Sequence, residues 1–206
     1  FIPKLRFSYI IYRIMVPQMD ELNKVVLETE RLILSSVTLA DCSENYLSWL
    51  NDTDVNMYLE SGFYQHNMQV LVDFVNGYQS NKKAVFLVIR LKENNKHIGN
   101  IKIDKINYIH RNCEYGIMMG DKTEWGKGYA KEASIAIINY AFEELGLNKV
   151  NLGVIDSNDV AVKLYEKIGF VVEGVLKQNF YERTSSTLKN EIRMAVFNNT
   201  WQYGNK

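Results

Sequence analysis

The sequence predicts an α+β fold, a mixed and mainly antiparallel sheet flanked by helices, and three observations carry that reading. Between Ala84 and Met119, three strand-like stretches follow one another with only short polar turns between them, the mark of antiparallel pairing. Helical periodicity brackets this block, from Asn67 to Tyr78 before it and from about Gly128 to Leu145 after it. Both prolines, Pro3 and Pro17, fall near the start, and no Pro-rich linker, low-complexity tract or repeat divides the rest. The 206 residues therefore read as one core-forming domain with tails.

The elements follow in order. Leu27–Leu34 reads as a first strand ending in Ser35-Ser36. Thr38 or Asp41 can cap a helix from about Leu39 to Leu50, which Asn51-Asp52 closes. A helical turn over Asp54–Leu59 and a break at Ser61-Gly62 precede the helix Asn67–Tyr78, whose apolar face is Leu71, Phe74, Val75 and Tyr78. Ala84–Leu91, a turn at Glu93–Lys96, and His97–Asn107 form a hairpin, with Cys113–Met119 as the next antiparallel strand. The long helix buries Ala130, Ala133, Ile137, Tyr140, Ala141 and Leu145 and stops at Gly146. A strand at Lys149–Ile155, a helix over 159–168, and strands near Val171–Leu176 and Lys189–Phe197 complete the domain.

Residues 1–24 are expected to be an extension, 25–199 the domain and 200–206 a tail. Phe1–Gln18 is aromatic, basic and free of acid, and the native start is expected at Met15 or Met19. Tyr9-Ile10-Ile11-Tyr12 is too short to span a membrane. Lysine plus arginine and aspartate plus glutamate balance at 24 each, so no net field draws the chain toward nucleic acid. Cys42 and Cys113 form no C-x-x-C pair, which suits a reduced, cytoplasmic protein. His66, His97 and His110 lack ligand spacing, so no metal is expected.

Two motifs carry chemistry. In Trp125-Gly126-Lys127-Gly128-Tyr129-Ala130 the glycines let backbone N–H groups approach a phosphate at a helix start, where the helix dipole favours an anion. Lys131 stands where a dinucleotide G-x-G-x-x-G/A turn needs a small residue, and Gly128 where a P-loop needs Ser or Thr. The second motif is Asn158-x-x-Ala161-x-x-x-Tyr165-x-x-x-Gly169-Phe170.

In this order, with the strand Lys149–Ile155 between them, the motifs resemble the GNAT superfamily of acetyltransferases, particularly its ribosomal-protein-acetyltransferase-like branch. The resemblance spans about Leu27 to Phe197 and departs at Trp125, where the superfamily carries a polar residue. It implies a sheet splayed between the strands Cys113–Met119 and Lys149–Ile155, with acetyl-CoA as co-substrate. The pyrophosphate would lie on residues 125–130 and the pantetheine along the backbone of Ile117, Met118 and Met119, with Asn158 and Ala161 beside it. Tyr165 would point at the thioester sulfur. An unperturbed phenol near 10 protonating a thiolate near 8.5 is uphill by ~2 kcal/mol, so a hydrogen bond is as useful there as a proton.

The base is less clear. Where many superfamily members carry a glutamate twelve residues before the tyrosine, this chain has Gly153. Glu114, fourteen residues before Gly128, matches the glutamate of histone-type members, and it reads equally as a strand carboxylate paired with Lys102 or Arg111. Asp156 and His110 are weaker candidates. Neutralising a lysine-like amine at pH 7 costs ~4–5 kcal/mol, against ~1 for an α-amine. That favours amino sugars or protein N termini over polyamines.

The acceptor would sit between the first-helices loop and the final hairpin, with Tyr58, Phe63, Tyr181 and Arg183 as its contacts. The expected acceptor is a small-molecule primary amine, with an amino-sugar nucleotide of surface polysaccharide synthesis leading. A protein N-terminal acetyltransferase and a non-catalytic acetyl-CoA sensor are the alternatives. A homodimer is left open.

Overall fold

The computed structural model describes residues 22–204. The expectations about the extension and the native start lie almost wholly outside these. Eight strands form one sheet in the order β1-β2-β3-β4-β5-β6-β8-β7. They are β1 Val26–Glu28, β2 Leu32–Ser36, β3 Val85–Leu91, β4 His97–Asn107, β5 Asn112–Met119, β6 Lys149–Ile155, β7 Val171–Glu182 and β8 Thr187–Phe197. The α-helices are α1 Glu44–Asn51, α2 Thr53–Asn56, α3 Met68–Gln79, α4 Tyr129–Asn139 and α5 Asp159–Ile168. Every pairing is antiparallel except β5 with β6.

At β3 the sheet is buried on both faces, which is why that strand reads as an unbroken apolar run. Val85, Leu87 and Ile89 point into the larger core with Ile137 of α4, Ala141 just beyond it, and Tyr165 and Ile168 of α5. Phe86 and Val88 point the other way, onto Tyr46, Trp49, Leu71 and Val75 from α1 and α3.

Several expected boundaries moved, each for a local reason. The first strand is two, because Thr29 turns the chain: its N–H bonds to the Leu32 carbonyl and the Leu32 N–H to its hydroxyl. Glu132 of α4 seals the turn, accepting from the Thr29 hydroxyl at 2.6 Å and the Arg31 N–H at 2.8 Å. The expected helix from Leu39 is a single 3-10 turn, Leu39–Asp41, followed by α1. Asp41 is engaged by Thr38 and Arg90, and Ser43 caps α1 through the Tyr46 N–H. The long helix ends at Asn139 and widens into a π-helical turn over Tyr140–Glu144 before Gly146, at φ +62°. On α3, Leu71 and Val75 are buried but Phe74 is 45% exposed.

β7 runs on to Glu182, six residues past Leu176, by bulging where Gln178 takes φ +53°. Both boundary segments contribute to the core. Leu22 is buried, and so is Trp201, whose indole donates to Asn139 Oδ1 at 2.6 Å. Among the described residues no helix is long and apolar enough to cross a membrane, and no group of His, Cys, Asp and Glu could hold a metal ion.

Candidate active site

The site begins with a fork in the sheet. β5 and β6 pair only from Asn112–Glu114 to Lys149–Asn151, and beyond these residues their ladder stops. Asn151 wedges the closed end, donating to the Cys113 carbonyl at 2.7 Å and accepting from Arg193 at 3.0 Å. The Met118 carbonyl faces β4 so closely that a Cβ on Gly99 would collide with it. Backbone polarity alternates along a strand, so Ile117 and Met119 turn their N–H and C=O groups into the fork. Trp125 donates its indole N–H to the Met119 carbonyl at 2.8 Å, joining the fork to the glycine turn. Of the three residues expected to offer backbone groups, Ile117 and Met119 do so, whereas Met118 offers its side chain on the opposite face.

The turn has the conformation its glycines predict. Gly126 and Gly128 sit at φ +76° and +85°; a Cβ would meet nothing at Gly126 and only Arg31 Nη2, at an ordinary 3.5 Å, at Gly128, so glycine is required there by backbone geometry and not by crowding. Gly128 is the N-cap residue of α4, followed by Tyr129 and Ala130, and it offers no side chain to the first helical N–H groups. Lys127 pairs with Glu124 at 2.7 Å, on the turn's rim. Arg31, which no motif signalled, holds the turn from just before β2. Its guanidinium donates to the Lys127 carbonyl at 3.0 Å, lies 4.5 Å over the Tyr129 ring and pairs with Glu132 at 2.6 Å. Burial raises the Glu132 pKa, but the bonds from Thr29 and Arg31 outweigh it and hold the carboxyl below its ordinary range. The available signal was Glu132 itself, an acid in the first turn of a helix otherwise prepared for anions.

Tyr165 approaches the fork from the helical side. Its ring stands edge-on to Tyr115 at 5.8 Å and against Phe170 at 5.7 Å. Tyr115 is itself anchored through Ser134, at 2.6 Å, to α4. Burial pushes the Tyr165 hydroxyl up to about 12, and among the described residues that hydroxyl has no hydrogen-bond partner. Asn158 caps α5 by accepting from the Ala161 N–H at 3.2 Å, leaving its amide N–H groups to donate elsewhere.

On the opposite face, Asn100, Lys102 and Asp104 of β4 stand beside Met118, Gly116 and Glu114 of β5. A cavity of about 330 Å³ lies here between the sheet and α1 and α3. Tyr46, Leu71, Phe74, Phe86, Ile117 and Met118 make it largely apolar, and Glu60, His66, Asn100 and Lys102 are its long polar side chains. Asn100 is 3% exposed, and its Nδ2 is buried with no hydrogen-bond partner. An unpaired donor in an apolar wall costs about 1–3 kcal/mol until an acceptor reaches it.

Glu114 pairs with Lys105 at 2.5 Å and Arg193 at 3.4 Å, not with Lys102 or Arg111 as expected. Lys102 is taken by Asp104 and Tyr78, and Arg111 by the Gly146 carbonyl. A left-handed Lys105, φ +51°, is what brings its ammonium to Glu114. Burial raises the Glu114 pKa, and the two cations overcome this and hold it below the ordinary carboxylate range. As a base it is weakened. His110 has an exposed side chain in the β4–β5 turn, and Asp156 accepts from Asn190 at 2.8 Å.

None of the four expected acceptor contacts lines this cavity. Tyr58 donates to the Ser157 carbonyl at 3.1 Å. Arg183 stacks 5.2 Å over Phe63 and donates to Asn56 at 2.8 Å, tying the final hairpin to the first-helices loop. Tyr181 is 47% exposed. The neighbouring Leu59, Glu60 and Ser61 reach the cavity instead. Asn100 was missed because a polar residue inside a strand says nothing, by sequence, about which face it serves.

The description "Acetyltransferase (GNAT) domain" matches residues 31–171. The spermidine N(1)-acetyltransferase of Escherichia coli (strain K12) is 27% identical over 168 residues, 79% of this chain and 86% of that protein. A putative ribosomal N-acetyltransferase of Bacillus subtilis, YdaF, is 34% identical over 83 residues, 40% of this chain and 45% of that protein. The crystal structure of spermidine N-acetyltransferase from Vibrio cholerae, in complex with CoA and spermine, superposes with a TM-score of 0.75. It shares 27% identity, over 83% of this chain and 98% of that one. With fork, glycine turn and tyrosine in one arrangement, the chain belongs to the GNAT acetyltransferase family and is an acetyl-CoA-dependent N-acetyltransferase.

Proposed function

We propose that the chain acetylates a small-molecule primary amine whose amine-bearing part is otherwise uncharged, with an amino-sugar nucleotide as the leading acceptor class. The observation that carries this is the Asn100 cavity. It opens along Gly116, Ile117 and Met118 at the edge of the fork, and it offers apolar and aromatic walls with one unpaired donor. A sugar ring suits such a site, its apolar faces on Phe86 and Tyr46 and a ring or hydroxyl oxygen on Asn100. In this reading Phe63, Tyr181 and Arg183, outside the cavity, would meet the nucleotide.

The spermidine enzymes among its relatives support transfer to a small amine, but the cavity's charge turns away from a polyamine. Several ammonium groups need several carboxylates, and the wall supplies only Glu60, opposed by Lys102. The similarity to YdaF keeps a ribosomal-type protein N terminus as the second reading. In either case Ile117 and Met119 would hold the pantetheine amides, residues 126–130 the pyrophosphate, and Tyr165 the departing sulfur.

The test compares kcat/KM for a UDP-linked amino sugar and for spermidine. The proposal expects the sugar to be preferred by roughly tenfold or more, as burial of unpaired ammonium groups would require. A preference for spermidine would contradict it.

A further inference from the structure

Two glycines floor the acceptor face of the fork. Gly116 of β5 lies under the stem of Lys102, whose Cε would be 3.3 Å from a Cβ there. Gly153 of β6 lies under two side chains of β8: a Cβ there would collide with Glu191 Oε1 and fall 2.7 Å from Arg193 Nη1. Gly153 is not among the left-handed glycines, so its backbone has no need of glycine. The space a side chain would take is filled instead by the carboxylate that arrives from the neighbouring strand.

That carboxylate is held on both oxygens. Glu191 Oε1 accepts from Arg193 at 2.7 Å, and Oε2 from Asn179 at 2.7 Å, which the β7 bulge presents. Arg193 continues across the fork to Asn151 and Glu114, and Lys105 closes the row beyond. Glu191 is therefore oriented and 18% exposed, beside Gly153, which lies two residues past the last β5–β6 pair toward the open end. Glu114 sits at the closed end between two cations.

We propose that Glu191 is the general base of this transferase, a role that rests on the small-amine reading above. Its carboxylate takes one proton from the acceptor ammonium and later releases it to solvent. The freed nitrogen lone pair attacks the thioester carbonyl carbon, a C–N bond forms, and the C–S bond breaks with its electron pair going to sulfur. The second nitrogen proton balances the thiol that leaves. Arg193 and Asn179 are positioning residues that aim the carboxylate over Gly153.

Methylamine and hydroxylamine test this. They are nearly the same size, but at pH 7 the first is an ammonium and the second is largely neutral, so only the first needs its proton removed before attack. In Glu191→Gln, kcat/KM for methylamine should fall by roughly 100-fold or more, as loss of a general base does, while hydroxylamine changes by less than about threefold. Equal losses for both amines, or an unchanged methylamine rate, would overturn the assignment.

Moving the carboxylate is the second arm. A chain carrying Gly153→Glu with Glu191→Gly should recover at least about tenfold of the methylamine rate that Glu191→Gly alone loses. No recovery, with acetyl-CoA binding intact, would overturn it as well. A wild-type chain that binds acetyl-CoA yet acetylates no small primary amine, the amino-sugar nucleotides included, would instead overturn the small-amine reading.

Discussion

Replacing Tyr165 by phenylalanine separates two chemistries that the same residue could perform. With its hydroxyl pushed up to about 12 by burial, donation of the whole proton to a thiolate near 8.5 is uphill by ~3.5 units, or ~5 kcal/mol. That exceeds the ~2 kcal/mol expected for an unperturbed phenol and makes full transfer a poor route. A hydrogen bond to the developing thiolate has no such penalty and contributes about 1.5–3 kcal/mol when one partner is charged. Tyr165→Phe should therefore lower kcat roughly 10- to 150-fold. The KM for acetyl-CoA should change little, and the melting temperature should stay near wild type because the ring keeps its packing on Tyr115 and Phe170. Thiol release followed from pH 6 to 10 should show no alkaline limb owed to Tyr165. A loss beyond about 1000-fold, or an alkaline limb near pH 9 that disappears in the variant, would show that the proton itself is transferred.

Three further outcomes are expected. His97 is buried against Trp49 and Tyr46, which lowers its pKa to about 4. The unfolded imidazole binds a proton near 6.5 and the folded one does not, so stability is lost as pH falls from about 6.5 to about 4, by about 3 kcal/mol. Denaturant midpoints across that window should show the loss, and His97→Gln should flatten it; an unchanged slope would contradict the burial argument. Asn100→Leu should raise the acceptor KM about 5- to 50-fold while leaving the acetyl-CoA KM unchanged, since it removes the unpaired donor of the cavity lining along with the Oδ1 contact to His97. Gly128→Ala forces a side chain into φ +85° and should cost about 1–2 kcal/mol in thermal unfolding and weaken acetyl-CoA binding; a neutral result would remove the turn from the site.

Elements whose signals are local could be read from the sequence. β4 and β6 have their expected bounds, and α5 runs between an asparagine cap and a left-handed glycine, both visible in the Asn158–Gly169 spacing. The splay of the sheet, implied only by resemblance, is present where β5 leaves β6. What could not be read depends on distant partners. The break between β1 and β2 is sealed by Glu132, about a hundred residues away. Glu114 had plausible cations nearby, but a left-handed Lys105 and the β8 residue Arg193 took it. Gly153 looked like a missing carboxylate, and only the fold shows that the carboxylate of Glu191, which β8 pairs with Ile155, occupies the space above it. The cavity, too, depends on which face of β4 meets α1 and α3, and no spacing rule assigned Asn100 to it.

The most direct measurement follows thiol release from acetyl-CoA, with mass analysis of the acceptor, across amino-sugar nucleotides, polyamines and peptides with free N termini. The account predicts one acetyl group transferred per thiol released, with an amino-sugar nucleotide as the best acceptor. Efficient acetylation of spermidine or of a peptide N terminus, with the amino sugars untouched, would contradict the reading of the cavity. Failure to bind acetyl-CoA would contradict the reading of the fork and its glycine turn.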